Sequence, residues 1–150
     1  MQTFVPYGRA FAANAAVLDR QRLGKQRVEG LQILRTIRGI NYGWANHPAV
    51  KMWEDYDDAL GYYTITICDT WTSYGYKDTC ADKVRELLPH LTPAVVHYEP
   101  IRNTIELPAW LDDHEIMTSH RSNLVRKKPE WYGAVWPDVP NDIPYKWPYR

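Results

Sequence analysis

The sequence predicts a mainly α-helical fold: one compact domain of about five helices, closed by an extended C-terminal strap rich in proline and aromatic rings. Three observations carry that expectation. Apolar residues recur at helical spacing, as Leu23, Leu31, Leu34 and Ile37, and again as Trp53, Tyr56, Leu60, Tyr63, Ile67 and Trp71. Gly39, Pro48, Gly75, Pro89 and Pro129 fall between these runs, at places where helices start and stop. No repeat and no linker-like stretch interrupts the 150 residues, a length that suits one domain with a sizeable core.

The elements follow in order. Residues 1–8 read as an extended lead-in that ends at Pro6-Tyr7-Gly8. The Ala-rich stretch 9–18 has good helix propensity. Asp19 is placed to cap a second helix running to about residue 38. A loop, 40–48, is dense in polar and aromatic groups, among them Asn41, Tyr42, Trp44, Asn46 and His47. The longest helix is expected over 49–74, with Gly61 in its middle permitting a close approach. Asp78 caps a shorter helix to 88. Between 91 and 110 the pattern is weak, with a short strand expected at 95–98. The last helix starts near Asp112 or Asp113 and stops before Pro129. From 130 to 150 the prolines exclude helix, and Trp136, Tyr145, Trp147 and Tyr149 are expected to press the strap onto the domain.

Composition narrows the function classes. Seven Trp and eleven Tyr stand against two Phe, so most large rings carry a polar edge suited to a boundary with water or a ligand. The formal net charge is zero, yet the charge is segregated. Arg20, Arg22, Lys25, Arg27, Arg35 and Arg38 surround the single acid Glu29, and Arg121, Arg126, Lys127 and Lys128 form a second basic segment. Brought together, the two would make one positive face. Two cysteines, Cys68 and Cys80, are too few for a disulfide framework and read as reduced core thiols. With no signal-peptide pattern and no long apolar run, a cytoplasmic location is expected.

Three constellations carry chemistry. On the helix over residues 18–34, Arg22, Lys25, Gln26, Glu29 and Gln32 share one polar stripe. A carboxylate among cations stays ionised, which suits it to stabilise a developing cation or act as a base of low pKa. An ordinary surface helix with intrahelical ion pairs has the same pattern. In Trp44-Ala45-Asn46-His47-Pro48, a histidine just before a helix offers proton transfer or a phosphate contact, and Asn46 adds donors; a locally capping loop histidine is the plainer alternative. In the segment 114–133, Ser119, Ser122, Asn123 and Arg126 share a face suited to phosphate, with His120 and Arg121 beside them. That segment reads equally as a solvated basic helix end. No metal is expected: His114 and His120 lie six apart, and neither HExxH nor CxxC occurs. There is no Walker A, GxGxxG or GxSxG sequence, and Asp78 disfavours Cys80 as a nucleophile.

Taken together, Val17-Leu18-Asp19-x-x-Arg22-Leu23-Gly24-Lys25-Gln26-Arg27-Val28-Glu29, then Trp44-x-x-His47-Pro48, then Ser119-His120-Arg121-Ser122-Asn123-Leu124, then Pro129-x-Trp131-Tyr132 resemble a group of small phage and actinobacterial proteins described as pyrimidine-dimer DNA glycosylases of the endonuclease V type. The resemblance covers nearly the whole chain. It implies a compact all-helical enzyme without metal or other cofactor. In the characterised type, a free N-terminal amine attacks the sugar carbon of a damaged nucleotide and forms an imine. A helix glutamate supports that step and the strand-cleaving elimination, and arginines grip the DNA backbone. Glu29 matches the glutamate, and Arg22, Lys25 and Arg27 match the grip. Two positions depart from the type: bulky Gln2 favours retention of Met1, making its amine the candidate nucleophile, and Val28 stands where the family carries an arginine.

The expected function is therefore a DNA glycosylase with AP-lyase activity on damaged or modified pyrimidines. Met1, Glu29, His47 and His120 are the catalytic candidates. Arg22, Lys25, Gln26, Arg27, Asn46, Arg121, Asn123 and Arg126 are the DNA-binding candidates, and DNA is the expected partner, with no membrane and no metal. The rivals are a non-catalytic phage or host factor that binds DNA, a nucleotide or a protein through the same basic face, and an enzyme that modifies bases or nucleotides. Clustering of Arg22, Lys25 and Glu29 with His47 and His120 would favour an enzyme; scattering would favour a binding module.

Overall fold

The structure is a computed structural model that describes residues 1–40 and 43–148. Asn41, Tyr42 and Tyr149 fall outside the described residues. Among the described residues the fold is all helical, without strands. The helices are α1 (Phe11–Val17), α2 (Arg20–Ile37), α3 (Pro48–Lys51), α4 (Asp57–Ser73), α5 (Cys80–Leu87), α6 (Pro93–His97), α7 (Glu99–Arg102), α8 (His114–Lys127) and α9 (Pro129–Val135), with a 3-10 turn at Ala109–Asp112 before α8. They number nine rather than about five, because short helical turns fill the loops.

The apolar stripe of α2 packs on α4, as its periodicity predicts. Leu23, Leu31, Ile33 and Leu34 are enclosed against the buried side of α4, which carries Leu60, Tyr63 and Ile67. Gly30 sets the distance between the two helices: a Cβ there would lie 2.3 Å from Thr64 Oγ1 and 2.9 Å from its Cγ2. Thr64 has little room to yield, since its hydroxyl donates to Leu60 O at 2.8 Å. Gly30→Ala is accordingly expected to lower stability by about 1–3 kcal/mol, the usual range for overpacking, in urea denaturation. Thr64→Ala in the same chain should restore most of the loss, and a Gly30→Ala variant of full stability would contradict the close approach. Gly61 plays the expected part against the turn that follows α5, where a Cβ would meet Leu91 and Leu88 at 2.6 and 2.7 Å.

Four expectations are corrected. The helix expected over 49–74 is broken after α3: Asp55 adopts a positive φ of 69°, a conformation Asp tolerates better than most residues, and the Met52 carbonyl accepts from Trp110 Nε1 at 2.8 Å. The strand expected at 95–98 is helix α6. Thr92-Pro93 supplies an N-cap hydroxyl and a proline at the first position, and these outweigh the β-propensity of Val95 and Val96. Pro129 begins α9 rather than ending all helix, so the irregular strap starts only after Trp136. Asp19 stands at the N-cap of α2 but makes no capping bond. Its buried carboxylate instead meets Arg22 at 3.2 Å and accepts from the Tyr132 hydroxyl, while its own N–H donates to that oxygen at 2.9 Å.

The strap lies along α8. Asn123 Nδ2 donates to Ile143 O at 3.0 Å, Ile143 N–H to Ser122 Oγ at 2.9 Å, and Lys146 N–H to Ser119 Oγ at 3.1 Å. Lys146 adds ion pairs to Asp113 and Glu115 at 2.8 and 2.9 Å. Trp136 is 8% exposed and stacks on Tyr132 at 5.8 Å. No helix among the described residues is long and apolar enough to cross a membrane.

Candidate functional site

The first residues do not lie on the surface but thread between α2, α4 and α8. An extended segment cannot satisfy its own N–H groups, and here side chains do so. Gln2 N–H donates to Glu29 Oε2 at 3.2 Å and Thr3 N–H to Gln2 Oε1 at 2.9 Å. Phe4 N–H donates to Gln26 Oε1 at 3.0 Å, and Val5 N–H to His120 Nδ1 at 3.0 Å. Gln26 also donates to Gln2 O at 2.7 Å, Tyr63 donates to Phe4 O at 2.8 Å, and Trp53 Nε1 donates to Thr3 Oγ1 at 2.9 Å. Four consecutive backbone donors thus meet four side-chain acceptors, which fixes where the N-terminus emerges.

It emerges at a recess of about 200 Å³, walled by Met1, Gln2 and Phe4 from the lead-in, by Gln21, Arg22, Lys25, Gln26 and Glu29 from α2, and by Lys127 and Tyr145 from the far end of the chain. Glu29 is partly buried, its side chain 13% exposed. It accepts from Gln26 Nε2 at 3.1 Å as well as from the Gln2 backbone, and Lys25 Nζ lies 3.9 Å away. Arg22 and Lys127 add positive charge around the same opening. His47 belongs to this neighbourhood. Burial lowers its pKa, the N-terminal ammonium lowers it further and Glu29 raises it, so both charges act on one imidazole that is neutral at pH 7. Its ring lies between Trp44 and Trp147, at 5.9 and 6.1 Å, and its Nδ1 accepts from Ala49 N–H at 3.0 Å. The strap therefore closes a wall beside His47.

The predicted site residues divide into two groups. Met1, Arg22, Lys25, Gln26, Glu29 and His47 are gathered around the N-terminus. Asn46 is exposed on the neighbouring loop and Arg126 on the end of α8. The others are committed elsewhere. Arg27 pairs with Asp78 at 2.7 Å and covers the Trp71 ring at 4.5 Å, pinning α2 to the start of α5. Arg121 donates to Pro6 O at 2.9 Å between the rings of Tyr7 and Trp136. Asn123, fully buried, holds the strap, and so do Ser119 and Ser122, which corrects the phosphate-binding face expected on α8. His120 is fully buried, and burial pushes its pKa down to about 3, so it acts as a neutral acceptor for Val5 rather than an exposed acid or base. Gln26, though beside the recess, is 1% exposed and orients Glu29 and the lead-in.

Residues 1–84 match the family model of pyrimidine dimer DNA glycosylases. The chain belongs to that family. The match includes Met1, the polar stripe of α2 with Glu29, and His47, whereas Lys127, Tyr145 and Trp147 lie beyond it. No curated protein and no solved structure matches the chain. Membership makes the chain, in general terms, a DNA glycosylase directed at pyrimidine dimers, with DNA as its substrate. Among the described residues no cluster of His, Cys, Asp or Glu has the makings of a metal site.

Sequence reasoning missed Gln2, Phe4, Gln21, Lys127 and Tyr145. Lys127 had been noted only as part of a basic run. Gln2 and Tyr145 carry no periodic signal, because both lie in irregular segments whose positions are set by distant side chains.

Proposed function

We propose that the recess is the active site of a DNA glycosylase with AP-lyase activity, in which the Met1 amine is the nucleophile and Glu29 the base. The observation that carries this reading is the 3.2 Å bond from the Gln2 N–H to Glu29, which joins the first peptide of the chain to the one carboxylate in the recess. The neutral amine attacks C1′ of the damaged nucleotide as the C1′–N1 bond breaks. Glu29 takes the proton shed by the amine and returns it to O4′ as the C1′–O4′ bond opens, leaving an imine that links Met1 to the ring-opened sugar. Splitting the displacement in this way replaces one high barrier with two lower ones. Glu29, ionised again once it has returned that proton to O4′, then takes a proton from C2′, and the elimination expels the 3′ phosphate. Lys25 and Arg22 bring positive charge to the same opening as the carboxylate. Neutral His47, within the electrostatic reach of both groups, carries its proton on Nε2, because Nδ1 accepts from the Ala49 N–H. It serves as a hydrogen-bond donor beside the amine, with Glu29 as the base. Arg22, Lys25 and Lys127 take the flanking phosphates, with Arg126 and Asn46 at the margins.

Borohydride reduction in the presence of abasic-site duplex tests the imine: a covalent protein–DNA adduct is expected, and its absence would remove Met1 from the mechanism. Binding to duplex should be strongly salt-dependent. With three cations at the recess, log K is expected to fall with log salt at a slope of about −3, close to −0.9 per phosphate. Lys25→Gln and Lys127→Gln should each reduce that slope by about one. A slope unaffected by either change would displace the DNA path from this opening.

A further inference from the structure

Among the described residues, three buried side-chain polar atoms lack a hydrogen-bond partner: Gln2 Nε2, Asp69 Oδ2 and His120 Nε2. Asp69 Oδ2 has a close neighbour in His97 Nε2 at 3.1 Å. His120 lies under the rings of Phe4 and Tyr145 at 6.0 and 5.8 Å and does not line the recess. Gln2 does line it, although the residue is only 4% exposed. Its orientation is fixed, because Oε1 accepts from the Thr3 N–H; the reversed amide would set two donors against each other. Leaving a buried amide donor unpaired is costly, and such a group persists where a ligand supplies the missing acceptor.

We infer that Gln2 holds the departing pyrimidine, its Nε2 donating to the O2 carbonyl of the base whose glycosidic bond is broken. This rests on the reading of the recess as the glycosylase site. Gln2 is covalently next to Met1, so its amide sits beside the carbon that the amine attacks. O2 is attached next to N1 and is the base acceptor nearest that carbon. A neutral, enclosed amide suits a carbonyl, whereas the phosphates have Arg22, Lys25 and Lys127 at the opening. As the amine nitrogen bonds to C1′, the electron pair of the C1′–N1 bond passes into the ring and is shared by N1 and O2. Gln2 Nε2 donates to that growing charge, which strengthens the contact in the transition state. Glu29 takes the proton shed by the amine, and the base anion, still joined to its partner pyrimidine in the dimer, takes a proton from solvent at N1.

The test uses Gln2→Met and Gln2→Glu. Both keep a bulky second residue and so retain Met1, and Gln2→Glu also keeps an acceptor for the Thr3 N–H. Each is compared with wild type for glycosidic-bond cleavage in pyrimidine-dimer duplex and for borohydride trapping on abasic-site duplex, which has no base to hold. Cleavage of the glycosidic bond should fall by about 100–1000-fold more than trapping does, as for a lost transition-state donor. Equal losses on both substrates, or no loss on either, would overturn the inference. If wild type itself gives no trapped adduct, the Met1 mechanism fails and the affinities decide separately. A wild-type preference for dimer-containing duplex over abasic-analogue duplex that both variants lose supports Gln2. A preference absent from wild type, or retained in the variants, overturns it.

Discussion

Glu29→Gln is expected to cut turnover on pyrimidine-dimer DNA by at least about 100-fold, the lower bound of what a positioned general base supplies. The fold should survive. The carboxamide still offers an oxygen to the Gln2 N–H and to Gln26 Nε2, so the lead-in keeps its anchor. The ion pair that is lost is a weak one, since Lys25 Nζ lies 3.9 Å away with its side chain 71% exposed. A melting temperature close to wild type with activity gone is therefore the expected pair of results. Retained activity would remove Glu29 from the mechanism. A large fall in melting temperature would make its role structural, as the anchor of residues 1–5.

The fold class was legible because helical periodicity is a local property. Leu23, Leu31 and Leu34 recur at helical spacing wherever α2 packs, and Gly39 and Pro48 punctuate the chain regardless of tertiary context. What escaped was decided at a distance. The break at Asp55 depends on the indole of Trp110, 55 residues further along by number. Arg27 looked like a member of the DNA grip because Arg22, Lys25 and Arg27 form one run, yet its side chain leaves α2 on the other side and meets Asp78. The same ambiguity misassigned α8. Serine, asparagine and arginine are suited to phosphate oxygens, but also to backbone carbonyls and N–H groups, and the strap offers those first. Glu29 was legible as the lone carboxylate of a basic run; its link to the N-terminus was not, since no sequence pattern marks a peptide N–H that a side chain will capture.

Deletion of residues 136–150 is expected to lower the melting temperature by about 10 °C and to weaken catalysis as well. Trp136 packs on Tyr132 at 5.8 Å and on Tyr7 at 5.9 Å, while Tyr145 contacts Phe4 at 6.4 Å and Trp147 at 5.7 Å. Burial of such rings contributes roughly 1.5–3 kcal/mol each when complete. Tyr145 and Trp147 are only partly covered, and ordering the strap opposes the gain, although proline reduces the entropy lost. A net loss of about 3–5 kcal/mol follows, and in a domain of this size each kcal/mol shifts the midpoint by about 2–4 °C. The effect on catalysis has a separate cause. Tyr145 is a wall of the recess and Trp147 faces His47, so truncation opens the site to water and frees the imidazole. Renewed hydration removes the burial that chiefly lowers the His47 pKa and so brings it back towards its ordinary value. The pH profile of the truncated protein should accordingly shift upward at its acidic limb. A truncated protein that melts with wild type and keeps its pH profile would show that the strap is not docked in solution, and the wall beside His47 would then have to be supplied by the DNA itself.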